Sequence, residues 1–254
     1  MSELPLEIGR AASNGEFEGV KEWIAGGTAS APLSINDVDY TGWTLIHWMA
    51  VGQALPEHVE FVRYLISQGV PLDAQSTVTG NTALRLACSS DEAMADMITV
   101  LIAAGASVNQ RNMINVAAVG GTTPLFVIKQ ASASTIDIVT TLLRAGASLN
   151  FVNDGPAPGN GESLLRDVQN TTYRDCPSNE HVIAIQTLVA SVRVAGSWKA
   201  YCKLPHKQIL RLRSLAARGR TRERLATTRA IRFLVRQGDN GIVWNILSFW
   251  RATN

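Results

Sequence analysis

Cysteine is scarce in this chain. Cys88, Cys176 and Cys202 are an odd number, far apart, with no Cys-x-x-Cys among them. That argues against a disulfide framework and fits reduced thiols inside a cell. Long apolar runs are lacking too. The longest uncharged run, Asn112 to Ile128, is broken by Gly120, Gly121, Thr122, Thr123 and Pro124, so no membrane span is expected. The opening Met1-Ser2-Glu3-Leu4-Pro5-Leu6-Glu7 has no basic stretch followed by an apolar one. An intracellular protein, cytoplasmic or nuclear and not secreted, is therefore expected.

Groupings that carry chemistry are missing as well. His47, His58, His181 and His206 show no ligand spacing, and the cysteines do not cluster with them. Gly26-Gly27 and Gly120-Gly121 lack the Gly-Lys-Ser/Thr tail of a phosphate loop. Asp37/Asp39 and Asp91/Glu92 fall in turns and first helical positions, where carboxylates cap and solvate. No nucleophile has a plausible base. The expectation is a non-enzyme with no cofactor, no metal and no small-molecule substrate.

What the chain does contain is repetition. Gly42-Trp43-Thr44-Leu45-Ile46-His47, Gly80-Asn81-Thr82-Ala83-Leu84-Arg85, Gly121-Thr122-Thr123-Pro124-Leu125-Phe126 and Gly161-Glu162-Ser163-Leu164-Leu165-Arg166 recur every 38, 41 and 40 residues. A second pattern runs in phase: Leu65 to Asp73, Leu101 to Asn109 and Leu142 to Asn150. Two signals locked together predict a stacked helical array, built as a core that 46% hydrophobic residues in 254 can fill. In each unit a Thr or Ser is placed to cap a short helix. A second amphipathic helix follows: Val59 to Ser67, Met94 to Ala103 and Ile136 to Arg144. Gly69, Gly105 and Gly146 sit where a helix needs a left-handed residue to stop.

On these residues the chain resembles the ankyrin repeat family. Thr123-Pro124-Leu125 matches its Thr-Pro-Leu-His element with Phe126 in the His position, and Leu45-Ile46-His47 keeps the His. Gly105-Ala106-Ser107-Val108-Asn109 and Gly146-Ala147-Ser148-Leu149-Asn150 match its Gly-Ala-Asp-Val-Asn element. Ala11 to Ile24 resembles an incomplete first repeat, His181 to Val192 the outer helix of a fifth, and the likeness covers roughly residues 6–192. The units are longer than the family's usual 33 residues, with extra residues at Gln53 to Pro56, Ser90 to Ala93, Asn112 to Gly120, Ala131 to Thr135 and Asn153 to Asn160.

The resemblance implies an all-α, ankyrin-type helical solenoid of four to five repeats, residues 1–192. It also implies a structural His47, bonded to the neighbouring turn. Its implied function is non-catalytic protein–protein binding, as an adaptor or scaffold, through turn tips and the first-helix face. Mapped here, the tips carry Tyr40, Thr41, Trp43, Val78, Thr79, Asn81 and Thr122; the helix face carries Val51, Ser89, Ser90, Gln130 and Asn170. Tyr40 and Trp43 are either hot-spot aromatics or a cap folded on the first half-repeat.

The net charge of +2 conceals a division. Residues 1–192 hold nine of the 23 Lys and Arg and 19 of the 21 Asp and Glu, a net of −10, leaving +12 for residues 193–254. This second segment is expected to be a basic helical extension packing on the last repeat. Its helices are expected from Leu204-Pro205, over Leu225 to Arg236, and over Gly241 to Arg251. Its basic residues include Lys203, Lys207, Arg211, Arg213, Arg218 and Arg220, suited to an acidic partner, to the acid-rich repeats or to nucleic acid. Two further readings follow. The Ile246-Leu247-Ser248-Phe249-Trp250 ending resembles the close of F-box motifs, which would make the chain a ubiquitin-ligase substrate adaptor. The other makes the chain a ribonucleoprotein component, bound through the basic segment 193–236.

Overall fold

The computed structural model describes residues 3–26, 35–53, 55–90, 94–112, 121–128, 133–149, 180–204 and 207. Among the described residues every element is helical and no strand occurs. The elements are α1 (Leu6–Asn14), α2 (Phe17–Ala25), α3 (Leu45–Ala50), α4 (Pro56–Ser67), α5 (Ala83–Ser89), α6 (Ala95–Ala103), a 3₁₀ helix (Pro124–Val127), α7 (Ala133–Arg144) and α8 (Glu180–Ala195). Two compact units divide the chain, Met1–Thr187 and Leu188–Asn254, the boundary falling inside α8.

In the first unit the helices form two rows in chain order. The inner row runs α1, α3, α5 and the 3₁₀ helix, each packed on the next. In the outer row α4 packs on α6 and α6 on α7, while α1–α2, α3–α4 and α5–α6 form the pairs. Inner helices of six or seven residues are too short to persist alone. Their stability comes from burial. Leu45, Ile46, Met49, Leu84 and Leu125 are each at 0% exposure, and burying such a side chain contributes about 1.5–3 kcal/mol. In the outer row Leu65, Ile98, Leu101 and Leu142 are likewise fully buried. This is the helical spacing expected of them.

Hydrogen bonds join each repeat to its neighbour along the outer turns. Ser107 N–H donates to Asp73 Oδ1 at 2.8 Å, and Ser148 N–H donates to Asn109 Oδ1 at 2.8 Å. Asn109 Nδ2 also donates to the Gly146 carbonyl at 3.0 Å. The Asp73 or Asn109 that closes the Leu-Asp or Val-Asn element thus holds the Gly-Ala-Ser element one repeat on. At the amino end, buried His58 of α4 bonds the Ser13 carbonyl through Nε2 at 3.1 Å, and Phe17 stacks on Phe61. The segment read as an incomplete first repeat is a full helix pair.

Some of the extra length of the units turns out to be helix. Pro56 begins α4 at a first-turn position that suits its missing N–H, and Ala133 to Thr135 are wound into α7. Asn112 and Thr122 pin together the two ends of the insertion at Asn112 to Gly120. Asn112 N–H donates to the Thr122 carbonyl at 3.4 Å, and Thr122 N–H donates to Asn112 Oδ1 at 2.8 Å. The third inner helix is only a 3₁₀ turn. Its Thr123 hydroxyl is buried without a hydrogen bond, so the expected cap is not made there. The β-branched pair Val127-Ile128 adds little helical preference at its end.

In the second unit Gly196 adopts φ 85° and ends α8. Ser197 Oγ then accepts the Ala200 N–H at 3.1 Å, and residues 198–204 are helical, beginning before the expected start at Leu204. Arg211, Arg213, Arg218, Arg220, the degenerate fourth turn, the two later tail helices and the Ile246 to Trp250 ending lie outside the described residues.

Gly69, Gly105 and Gly146 have φ of 83°, 99° and 93°, the left-handed stops foreseen for them. A Cβ on Gly105 would meet nothing, so Gly105→Ala should cost only the conformational strain, about 1 kcal/mol. A Cβ on Gly42 (φ 77°) would lie 2.5 Å from the Thr77 backbone nitrogen, so Gly42→Ala should cost clearly more. Urea midpoints of the two variants test this order.

Candidate binding surface

Before α3, α5 and the 3₁₀ helix a polar side chain, Asp39, Ser76 or Asn112, clasps the chain at the same place. Asp39 N–H donates to the Trp43 carbonyl at 2.9 Å, and Ser76 N–H donates to the Asn81 carbonyl at 3.0 Å. Asp39 Oδ1 accepts from Thr41 N–H (2.8 Å), Thr41 Oγ1 (2.6 Å) and Trp43 N–H (3.0 Å), a local arrangement that favours this tight turn. Its Oδ2 accepts from Trp48 Nε1 at 3.1 Å. The carboxylate is therefore buried, at 4% exposure, and not the solvated group its turn position suggested. Neighbouring hairpins are tied by Thr77 N–H donating to the Thr41 carbonyl at 3.0 Å.

The helix that follows each hairpin locks the register. His47 accepts the Thr44 N–H at Nδ1 (3.1 Å), which leaves Nε2–H to donate to the Asn81 carbonyl 3.0 Å away in the next hairpin. One repeat later Arg85 holds the same position. Its Nη2 donates to Thr122 Oγ1 at 2.8 Å and its Nη1 to Asn81 Oδ1 at 2.7 Å. Burial lowers the Arg85 pKa to about 10 and pushes the Cys88 thiol up to about 12, which leaves Cys88 an unreactive core residue.

Six of the residues singled out in the sequence come together. Tyr40, Thr41, Trp43, Val78, Thr79 and Asn81 line a cleft of about 300 Å³ between the two hairpin tips, with Asp39 and Trp48 completing it. Tyr40 is 73% exposed and Val78 58%. Trp43 is half-buried. It meets Trp48 edge-on with centroids 5.0 Å apart and stacks on His47 at 6.2 Å. Tyr40 is exposed, and Trp43 packs on His47 and Trp48 of the helix that follows it. Trp48 had no part in the sequence reading, although it lies five residues beyond Trp43, one helical turn past the cap.

The other expected residues are elsewhere. Val51, Ser89 and Ser90 sit at the carboxyl ends of α3 and α5, and Thr122 is held by Arg85. None of these lines the cleft. Gln130 and Asn170 lie outside the described residues, and Lys203 and Lys207 are exposed. A second hollow of about 480 Å³ lies beside α1 and α2, where its charged residues, Glu7, Glu16 and Glu18, are all solvated. Among the described residues no cluster of three His, Cys, Asp or Glu could hold a metal, and no helix is long and apolar enough to cross a membrane.

Stacked helix pairs, hairpins before α3 and α5 and a forward-reaching side chain on each of these two helices define a helical repeat array. Residues 8–112 match the family described as ankyrin repeats (3 copies), consistent with an ankyrin repeat protein. A search of the curated proteins found no match.

Desolvation by burial lowers the His47 pKa from 6.5, outweighing the backbone bond to Asn81. The unfolded chain therefore binds this proton more readily. The group's share of stability is complete above pH 6.5 and is lost as pH falls from there toward the folded value. Denaturant midpoints should fall as pH drops from about 7 to about 5.5, and His47→Gln should flatten that fall while costing about 1 kcal/mol at neutral pH.

Proposed function

We propose that this chain is a non-catalytic adaptor or scaffold that holds a partner protein at its hairpin tips and along its inner helices. Ankyrin repeats are in general protein–protein interaction modules, which supports the coarser part of this reading. The observation that carries the finer part is the cleft between the tips. It gathers aromatic and apolar side chains that the fold leaves accessible, set in a frame of backbone hydrogen bonds. Large, stiff aromatics of this kind supply binding energy at little entropic cost. Because hairpin and helix are already fixed by Asp39 and His47, a partner would meet a preformed surface with little ordering left to be done.

Tyr40 and Val78 are the two tip residues most exposed among the cleft's apolar side chains, so replacing them tests the surface without touching the packing. A Tyr40→Ala/Val78→Ala chain should keep its thermal midpoint and lose roughly tenfold in affinity, about 1.4 kcal/mol, for a partner captured by affinity purification of the full chain. Undiminished capture by the double variant would remove this face from the reading.

A further inference from the structure

We infer that the cleft between the two hairpin tips accepts a methylated ammonium group, the side chain of a methylated lysine carried by the partner protein. This rests on the protein-binding reading above and adds the chemistry of what is recognised.

The lining is aromatic on one side and negative beneath. Trp43 and Trp48 meet at 68° with centroids 5.0 Å apart, forming a corner, and the exposed Tyr40 stands on the same cleft. Aromatic faces carry negative quadrupole charge and attract poorly hydrated cations. Below them lies the Asp39 carboxylate, 4% exposed. Among the described residues the ion pairs are Lys21–Glu18 and Arg63–Glu60, and neither involves Asp39. Arg85 is engaged by Asn81 and Thr122 and does not line the cleft. The cleft therefore holds one uncompensated negative charge under a pair of indole rings.

The hydrogen bonding of Asp39 selects among cations. A carboxylate offers about four acceptor positions. Oδ1 takes three donors, which fills it, and Oδ2 takes the Trp48 indole, which leaves one position on a group 4% exposed. What remains is charge with at most one buried lone pair. An unmodified ammonium brings three N–H groups, and an arginine five, that would lose water and find at most one acceptor on the carboxylate. A methylated ammonium keeps its charge, has fewer or no N–H groups to satisfy, and places polarised methyl groups against the ring faces. A neutral apolar side chain would fill the same space but gain nothing from the charge.

The test uses the full chain and three small probes: Nα-acetyl-Nε-trimethyl-lysine amide, its unmethylated counterpart, and the neutral analogue with a tert-butyl group in place of trimethylammonium. Binding is followed by NMR of the indole N–H groups of Trp43 and Trp48. The trimethylated probe should shift both signals and bind about tenfold tighter than either comparator. Trp43→Leu should abolish the effect, and Asp39→Asn should erase the preference for the charged probe. Far-UV circular dichroism reports whether each variant is folded, and the three-probe series on the unaltered chain decides the matter alone if one is not. Equal binding of the neutral analogue, equal binding of the unmethylated probe, or no response from either indole overturns the inference. If it is overturned while Tyr40→Ala/Val78→Ala still loses the partner, the face binds protein through uncharged groups. If the double variant retains the partner, the protein-binding reading of this face has failed on its own account.

Discussion

One hydrogen-bonded joint sets the rest of this structure: a side chain on α3, and again on α5, that reaches forward to the following turn. His47 grips the Thr44 amide behind it and the Asn81 carbonyl ahead. Two-turn helices cannot bury a face by themselves, so their apolar side chains become a core only when neighbours are held in register. The joint supplies that register from the buried side of the stack, and the Asp73–Ser107 and Asn109–Ser148 bonds supply it from the outer turns. Between the two sets of bonds the fully buried Ile46, Leu84 and Leu125 recur at equivalent positions.

The same joint makes the accessible surface rigid. Trp43 lies between the hairpin that Asp39 closes and the helix that His47 holds, and it cannot shift without disturbing both. Fold and exposed tip surface are thus two sides of one hydrogen-bond network. That is why the tip residues combine exposed apolar side chains with a well-determined backbone, and why charge can be kept under them in a buried carboxylate.

Much of this was legible in the sequence because it depends on spacing. The phase between the Gly-x-Thr and Gly-Ala-Ser elements fixes the order of helices, and Gly69, Gly105 and Gly146 mark their ends. The gathering of Tyr40, Trp43, Val78 and Asn81 follows from equal spacing of the turns. What was not legible depends on side chains folding across elements. Asp39 read as a solvated turn residue because nothing in a local pattern shows that Trp48 will cover it and donate to it. Arg85 showed only as a departure from the family's His, although its longer reach serves the same joint. The lengthening of α4 and α7 was hidden because Pro56 and the Ala133-Ser134-Thr135 stretch look like loop until helix geometry is imposed on them.

The clasp of Asn112 on Thr122 has a consequence for how such a chain can change. Asn112 and Thr122 close the loop with the same kind of bonds that Ser76 and Asn81 use, although the closing residues are ten apart in one case and five in the other. The stack therefore senses the clasp and not the number of residues beyond it. Length between Asn112 and Thr122 can therefore be gained or lost at little expense to the helices, which makes this position a ready graft point for a foreign peptide.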